Sequence, residues 1–173
     1  MTETSDPETP ALPAPLLVRT GGEREVLDAF LDFYRSTVTG KVRGLSDADA
    51  RRRLVPSETT LAGLVKHLTL VERDWFPALL ADGEPPLEAG RTGGWEVGPE
   101  ESLDALVAAY EAACARSREV AAGLPLEHAV PHPEIGEISL RWIYVHVIEE
   151  TARHTGHLDI LREQTDGATG VTA

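Results

Sequence analysis

Hydrophobic side chains recur every three or four positions in four stretches of the chain, which is the spacing of amphipathic helices. Ser57 and Ser139 stand at the expected N-caps of the second and fourth helices, and Gly40 follows the expected end of the first. A short helical turn is predicted from Ser46, which begins an N-cap motif, to Leu54. The four long helices are predicted over residues 23–38, 57–80, 102–122 and 139–163.

Four long helices without a convincing strand predict an all-α protein, a four-helix bundle. The connection between helices two and three, from Ala81 to Glu101, has about 20 residues. It is long enough to cross the bundle beside a helix of about 30 Å. We therefore predict an up-down-down-up order with a crossover between helices two and three. The alternative order, up-down-up-down, needs only short turns.

The two ends of the chain differ in composition from the middle. Residues 1–20 hold four prolines among Thr, Ser and Glu, and this composition predicts a flexible arm, disordered or loosely docked, with no packed element. Residues 166–173 are predicted to form a flexible tail. The predicted bundle domain is therefore 21–165.

The fourth helix carries ionisable side chains on the face that should contact the core. Buried carboxylates and imidazoles need partners, because leaving them unpaired costs several kcal/mol. Glu150 and His154 are four positions apart, which is the spacing of two ligands to one metal ion. The second helix supplies a third candidate ligand, His67, at the edge of its apolar stripe. The predicted core-facing positions are Ile143, Val147, Glu150, His154, His157 and Leu161.

These three residues have two interpretations. Two histidines and one carboxylate leave coordination positions open on a divalent metal ion, as catalytic sites require. The alternative is a helix-surface pair between Glu150 and His154, with His67 as an ordinary histidine at the boundary of the core.

Charge and composition exclude several classes of partner. The chain has 29 acidic and 16 basic residues, for a formal net charge of −13. Nucleic acids and anionic membranes favour a surplus of Lys and Arg, so neither is an expected partner. No apolar run approaches the roughly 20 residues of a membrane span, and we expect a cytoplasmic protein without a signal peptide. The single cysteine, Cys114, excludes an internal disulfide and is expected to be buried.

Two segments carry a resemblance to a known family. Residues 57–76, SETTLAGLVKHLTLVERDWF, and residues 142–157, WIYVHVIEETARHTGH, closely resemble the DinB superfamily. Within it, the chain looks most like the actinobacterial group of mycothiol-dependent transferases, and the resemblance extends over about residues 20–165. It implies a four-helix bundle with the crossover described above and a divalent metal ion bound by His67, Glu150 and His154. A homodimer is also common in this family.

Further candidates surround this set. His157 stands where many DinB-like proteins have Gln, so it either supports a ligand or replaces one. His146 lies one turn before Glu150 and is a candidate to orient that carboxylate by a hydrogen bond. Trp75 and Trp142 are predicted to lie in the core or in the wall of a substrate pocket. Arg153 is predicted to pair with Glu149 on the surface, and the alternative is a contact with the substrate. The loop that contains His128 and His132 is expected to be solvated, or to fold over the metal.

The resemblance implies a thiol-dependent S-transferase or isomerase with mycothiol as cosubstrate. The metal would activate the small-molecule thiol for attack on an electrophile. Zinc is the expected ion, although the same ligands accept Ni, Fe or Mn. The alternatives are a metal-dependent hydrolase, a non-haem iron oxygenase, and a metal-binding or dimerising module without turnover.

Overall fold

The computed structural model describes residues 12–81 and 94–170. The described chain is mostly helical and contains one small antiparallel sheet, which agrees with the all-α prediction. In chain order the elements are α1 (Ala14–Leu17), α2 (Glu23–Val42), α3 (Asp47–Ala50), α4 (Leu61–Trp75), α5 (Pro77–Leu80), α6 (Leu103–Ala122), β1 (Ala129–His132), β2 (Gly136–Ser139) and α7 (Leu140–Asp166).

Side-chain caps fix the starts of several helices. The Ser46 hydroxyl accepts a hydrogen bond from the Asp49 N–H, and the Ser139 hydroxyl accepts one from the Trp142 N–H. Both predicted caps are therefore confirmed. Each cap satisfies a backbone donor in the first turn, which has no partner within the helix.

The second long helix begins later than predicted and is interrupted. Thr60 is its N-cap and accepts from the Gly63 N–H at 3.0 Å, so the prediction of Ser57 is wrong. The Ser57 hydroxyl instead donates to Thr59 Oγ1 at 3.0 Å. The helix ends at Trp75 rather than Leu80 because Pro77 lacks an N–H and restricts the residue before it.

The first helix continues through Gly40, where the sequence predicted that it had ended. Lys41 and Val42 are buried, and their packing outweighs the weak helical preference of one glycine. The fourth helix likewise runs to Asp166 instead of Glu163, and ends before Gly167 at φ 79°.

Two segments that the sequence predicted to lack packed helices or strands contain them in the structure. The predicted flexible arm contains the helical turn α1, in which Pro15 is buried. Residues 1–11 of the arm and 171–173 of the tail lie outside the described residues. The predicted loop around His132 is a hairpin of β1 and β2, in which Val130 pairs with Ile138 and both side chains are buried.

The contacts between the long helices give their relative directions. Lys66, early in α4, binds Glu101 just before α6, and Ser117, late in α6, binds the Glu72 carbonyl late in α4. These two helices therefore run the same way. Much of the connection between them, residues 82–93, lies outside the described residues.

Helix α7 runs parallel to α2 and antiparallel to α4. Arg141 binds Glu23 at the starts of α7 and α2, and Asp159 binds Lys41 near their ends. By contrast, the end of α4 at Trp75 meets the start of α7. The core between the helices is apolar, and its most buried members include Leu31, Val38, Leu64, Leu68, Ile143, Val147 and Leu158. Among the described residues, no helix combines the length and apolar composition that crossing a bilayer requires.

One ion pair lies inside this core. Arg35 donates two hydrogen bonds to the Glu72 carboxylate, each of 2.7 Å, and a third to Asp32. The side chains of Arg35 and Glu72 are 6% and 2% exposed. Burial alone would lower the pKa of Arg35, but the Glu72 carboxylate raises it above its ordinary value.

Candidate metal centre

His67, Glu150 and His154 meet where α4 crosses α7. Glu150 Oε1 lies 3.2 Å from His67 Nε2 and 2.9 Å from His154 Nε2. One potential ligand atom from each residue lies within 4.8 Å of the others. The structure thus brings together the three residues that the sequence spacing and the family resemblance selected.

Helix register explains why these side chains converge. His67 lies between Leu64 and Val71 on α4, and both of these neighbours are buried in the core. Glu150 and His154 are one turn apart on α7 and therefore share a face. His154 is 8% exposed, whereas His67 and Glu150 are 17% and 18% exposed, so the centre lies at the edge of the core with access to solvent.

The electrostatics of the centre favour an ionised carboxylate. Hydrogen bonds from His154 and His67 hold the pKa of the Glu150 carboxyl far below its ordinary value, despite partial burial. Glu150 is therefore an anion at neutral pH. Two imidazoles and one carboxylate are a donor set suited to a divalent transition metal or zinc.

His157 does not lie in the buried seam, so that part of the sequence prediction is wrong. Its side chain is exposed, and its Nδ1 lies 3.2 Å from His154 Nδ1. It therefore contacts the ring nitrogen of His154 that faces away from Glu150. Partial desolvation of the ring, followed by the charges of His154 and Arg153, lowers the pKa of His157. Arg153 itself is exposed.

Trp95 contacts the centre, and sequence reasoning missed it. Its ring stacks on His67 with the centroids 4.2 Å apart and the planes 12° from parallel, and its edge contacts His154. Its carbonyl oxygen also lies close to Gly63, where an added Cβ would be only 2.7 Å away. The one available signal was a large aromatic residue in a glycine-rich connection.

The segment after Trp95 is fixed by basic side chains. Arg51 donates to the carbonyls of Val97 and Gly98, and Lys66 donates to the Glu96 carbonyl. Lys66 also pairs with Glu101 at 2.7 Å. These bonds hold Trp95 against His67.

A second group of aromatic rings lies where the end of α4 meets the start of α7. Trp75 contacts Trp142, His146 and His132, with centroids 5.4, 4.2 and 5.1 Å away respectively, and Trp142 also stacks on His146. We call these four residues the aromatic cluster. The candidate hydrogen bond from His146 to Glu150 is absent from the described contacts, and the ring packs against the tryptophans instead. Burial lowers the pKa of His146, against the opposing charges of Glu150 and Glu149.

The other candidate residues lie away from the three ligands. His128 is half-buried just before β1, and its carbonyl accepts from the Leu140 N–H. Cys114 is buried in α6, as the sequence predicted, and burial raises the pKa of its thiol to about 12.

The helical fold and the His–Glu–His centre define the class of protein, a mostly helical protein with a candidate metal site. Comparison with family models agrees with this class. The family described as mycothiol-S-transferase matches residues 26–167, and the chain belongs to this family. No curated protein matches the chain.

Proposed function

We propose that this protein is a metal-dependent mycothiol S-transferase with His67, Glu150 and His154 as its metal ligands. The observation that carries the proposal is the position of Glu150 Oε1, 3.2 and 2.9 Å from the two imidazole nitrogens. Two ligands on a tetrahedral ion with bonds of about 2.1 Å are about 3.4 Å apart, so both separations from Glu150 are close to the required one. All three donor atoms lie within 4.8 Å of one another. The choice of mycothiol as the thiol is supported by the description of the matching family, mycothiol-S-transferase.

The ligand set leaves room for a substrate. Three protein ligands satisfy fewer positions than a divalent ion takes, as in catalytic rather than structural sites. A bound ion would supply Lewis acidity, which lowers the pKa of a coordinated thiol. Zinc is the proposed ion because its preferred ligands are nitrogen, sulfur and carboxylate oxygen.

The residues of the chain have separate tasks in this proposal. Glu150 stays ionised and keeps both imidazoles oriented towards one point. Trp95 covers one side of His67 and limits the approach of water from that side. Cys114, with its raised pKa, is not the nucleophile. In the reaction the thiol sulfur bonds to the electrophilic carbon, the leaving group departs with its electron pair, and the thiol proton passes to solvent.

The test is consumption of mycothiol with 1-chloro-2,4-dinitrobenzene, whose chloride is the leaving group. We expect turnover with zinc-loaded wild type and a loss of at least about 100-fold with His154→Ala. His128→Ala is the matched control, because it removes a half-buried histidine outside the centre. Turnover that survives both chelation and His154→Ala contradicts the proposal.

The proposal also includes the arrangement of the whole domain. We infer a four-helix bundle of α2, α4, α6 and α7 in up-down-down-up order, supported by the helix directions given above. Residues 21–165 form this domain in the proposal. A homodimer and a cytoplasmic location are further predictions of the proposal, to be tested by light scattering and by cell fractionation.

A further inference from the structure

The aromatic cluster lies on the same helix face as two of the proposed metal ligands. Trp142, His146, Glu150 and His154 follow one another at intervals of four residues along α7. With a rise of 1.5 Å per residue, Trp142 and His146 lie roughly 12 and 6 Å along the helix from Glu150. A small molecule with its reactive atom at the centre therefore reaches the cluster with its other end.

The cluster presents accessible aromatic surface. Trp142 is 41% exposed, an unusual exposure for a residue that can bury so much apolar area. It forms one wall of a cavity of about 580 Å³, whose other walls include Glu137, Ser139 and Ile135. Trp95 covers His67 at the centre, and the cluster lies one to two helical turns from Glu150 towards the start of α7.

The polar groups around the cluster select the chemistry of the ligand. The negative charge of Glu149 acts on His146, and Glu137 adds a carboxylate to the cavity. An anionic ligand would be repelled by these carboxylates. An uncharged polyol fits, because its hydroxyl groups donate to carboxylates and its C–H faces stack on aromatic rings.

We propose that the aromatic cluster, with Glu137 and Ser139, binds the sugar head group of the thiol cosubstrate. The inference rests on the proposed function, which supplies the thiol. Mycothiol carries its thiol on an acylated cysteine that is joined by an amide to glucosaminyl-inositol, an uncharged polyol. The thiol sulfur lies at the centre and the sugar rings lie against Trp142.

The test compares two thiols that share the reactive end. Mycothiol carries the sugar head group, whereas N-acetylcysteinamide ends where the sugar begins and is also uncharged. The protein is the zinc-loaded full chain, as wild type, Trp142→Ala and Phe30→Ala. Phe30 is the matched control, since it is an aromatic residue of 40% exposure on α2.

We expect Trp142→Ala to raise the KM for mycothiol about tenfold, because one stacked ring is lost, and to leave kcat within about twofold of wild type. The KM for N-acetylcysteinamide and the KM for the electrophile should stay within about twofold of wild type. Phe30→Ala should resemble wild type with both thiols. His132→Ala, which removes a ring from the hairpin side of the cluster, provides a second variant if Trp142→Ala does not fold.

Results of three kinds overturn the inference. If Trp142→Ala affects both thiols equally, or leaves both unchanged, the cluster does not bind the sugar. If the KM for the electrophile rises instead, the cluster binds the other substrate. In both cases the wild type still turns over mycothiol, and the proposed function stands. If wild type turns over neither thiol, the proposed function fails together with the inference.

Discussion

The Nδ1 atoms of His154 and His157 lie 3.2 Å apart, while His154 Nε2 points to Glu150. If Nε2 of His154 binds a metal, Nδ1 of the neutral ring carries the hydrogen and donates a hydrogen bond to Nδ1 of His157. Hydrogen bonds of this kind fix the tautomer and the orientation of metal-bound histidines. His157 is thus a positioning residue in this account, with its own ring outside the ligand set.

Replacing His157 should therefore weaken metal binding without abolishing it. We expect His157→Ala to lower zinc affinity by about 10- to 100-fold, as measured by competition with a chromogenic chelator. His157→Gln should recover most of the loss, since its amide oxygen also accepts a hydrogen bond. Equal affinities for His157→Ala and wild type would show that the contact does not orient His154.

Gly63 should resist substitution although it lies in a helix. An added Cβ would be 2.7 Å from the Trp95 carbonyl oxygen, so Gly63→Ala should displace Trp95 and lower the melting temperature. Gly156→Ala is the matched control, because nothing lies within 4 Å of its added Cβ. It should stabilise the protein by up to about 1 kcal/mol through helix propensity. A gain of similar size at both positions would contradict the close approach of Trp95.

Removing only one member of the buried ion pair should strongly destabilise the folded protein. Glu72→Ala leaves Arg35 in the core with only the half-exposed Asp32, and we expect a loss of about 3–5 kcal/mol in the free energy of unfolding by urea. The combined change Arg35→Met with Glu72→Leu should recover much of this loss. Glu58→Ala, which breaks an exposed pair with Arg53, should change stability by less than about 1 kcal/mol.

Cys114 should be almost inert in the folded protein. With a pKa of about 12, about one thiol in ten thousand is ionised at pH 8, against about one in four for an ordinary cysteine. We expect its reaction with Ellman's reagent to be at least about a thousandfold slower than in urea, and to accelerate as the pH rises. Rapid labelling of the native protein would contradict its burial and its exclusion as a nucleophile.

The sequence predicted which three candidate ligands come together more accurately than it predicted the residues around them. Glu150 and His154 are neighbours in a helix, so their meeting follows from local periodicity alone. Trp95 reaches His67 through a long connection, and no local pattern encodes that contact. The hairpin was missed because its strands have only four residues each and β1 contains Pro131.

The start of α4 was predicted at the wrong residue for a similar reason. Ser57 and Thr60 are both good N-caps, and the sequence offers no means to choose between them. The structure favours Thr60, which is 9% exposed and has Leu61 directly after it in the core. Tertiary packing, rather than cap preference, decides where this helix begins.

The central claim is that His67, Glu150 and His154 bind one divalent ion. The most direct measurement is metal content by mass spectrometry on protein purified without an affinity tag or chelator, for wild type, His154→Ala and His128→Ala. We predict about one zinc ion per chain in wild type and in His128→Ala, and a loss of most of it in His154→Ala. Wild type that stays free of metal after exposure to Zn, Ni, Fe and Mn, or full retention of the ion by His154→Ala, would contradict the account.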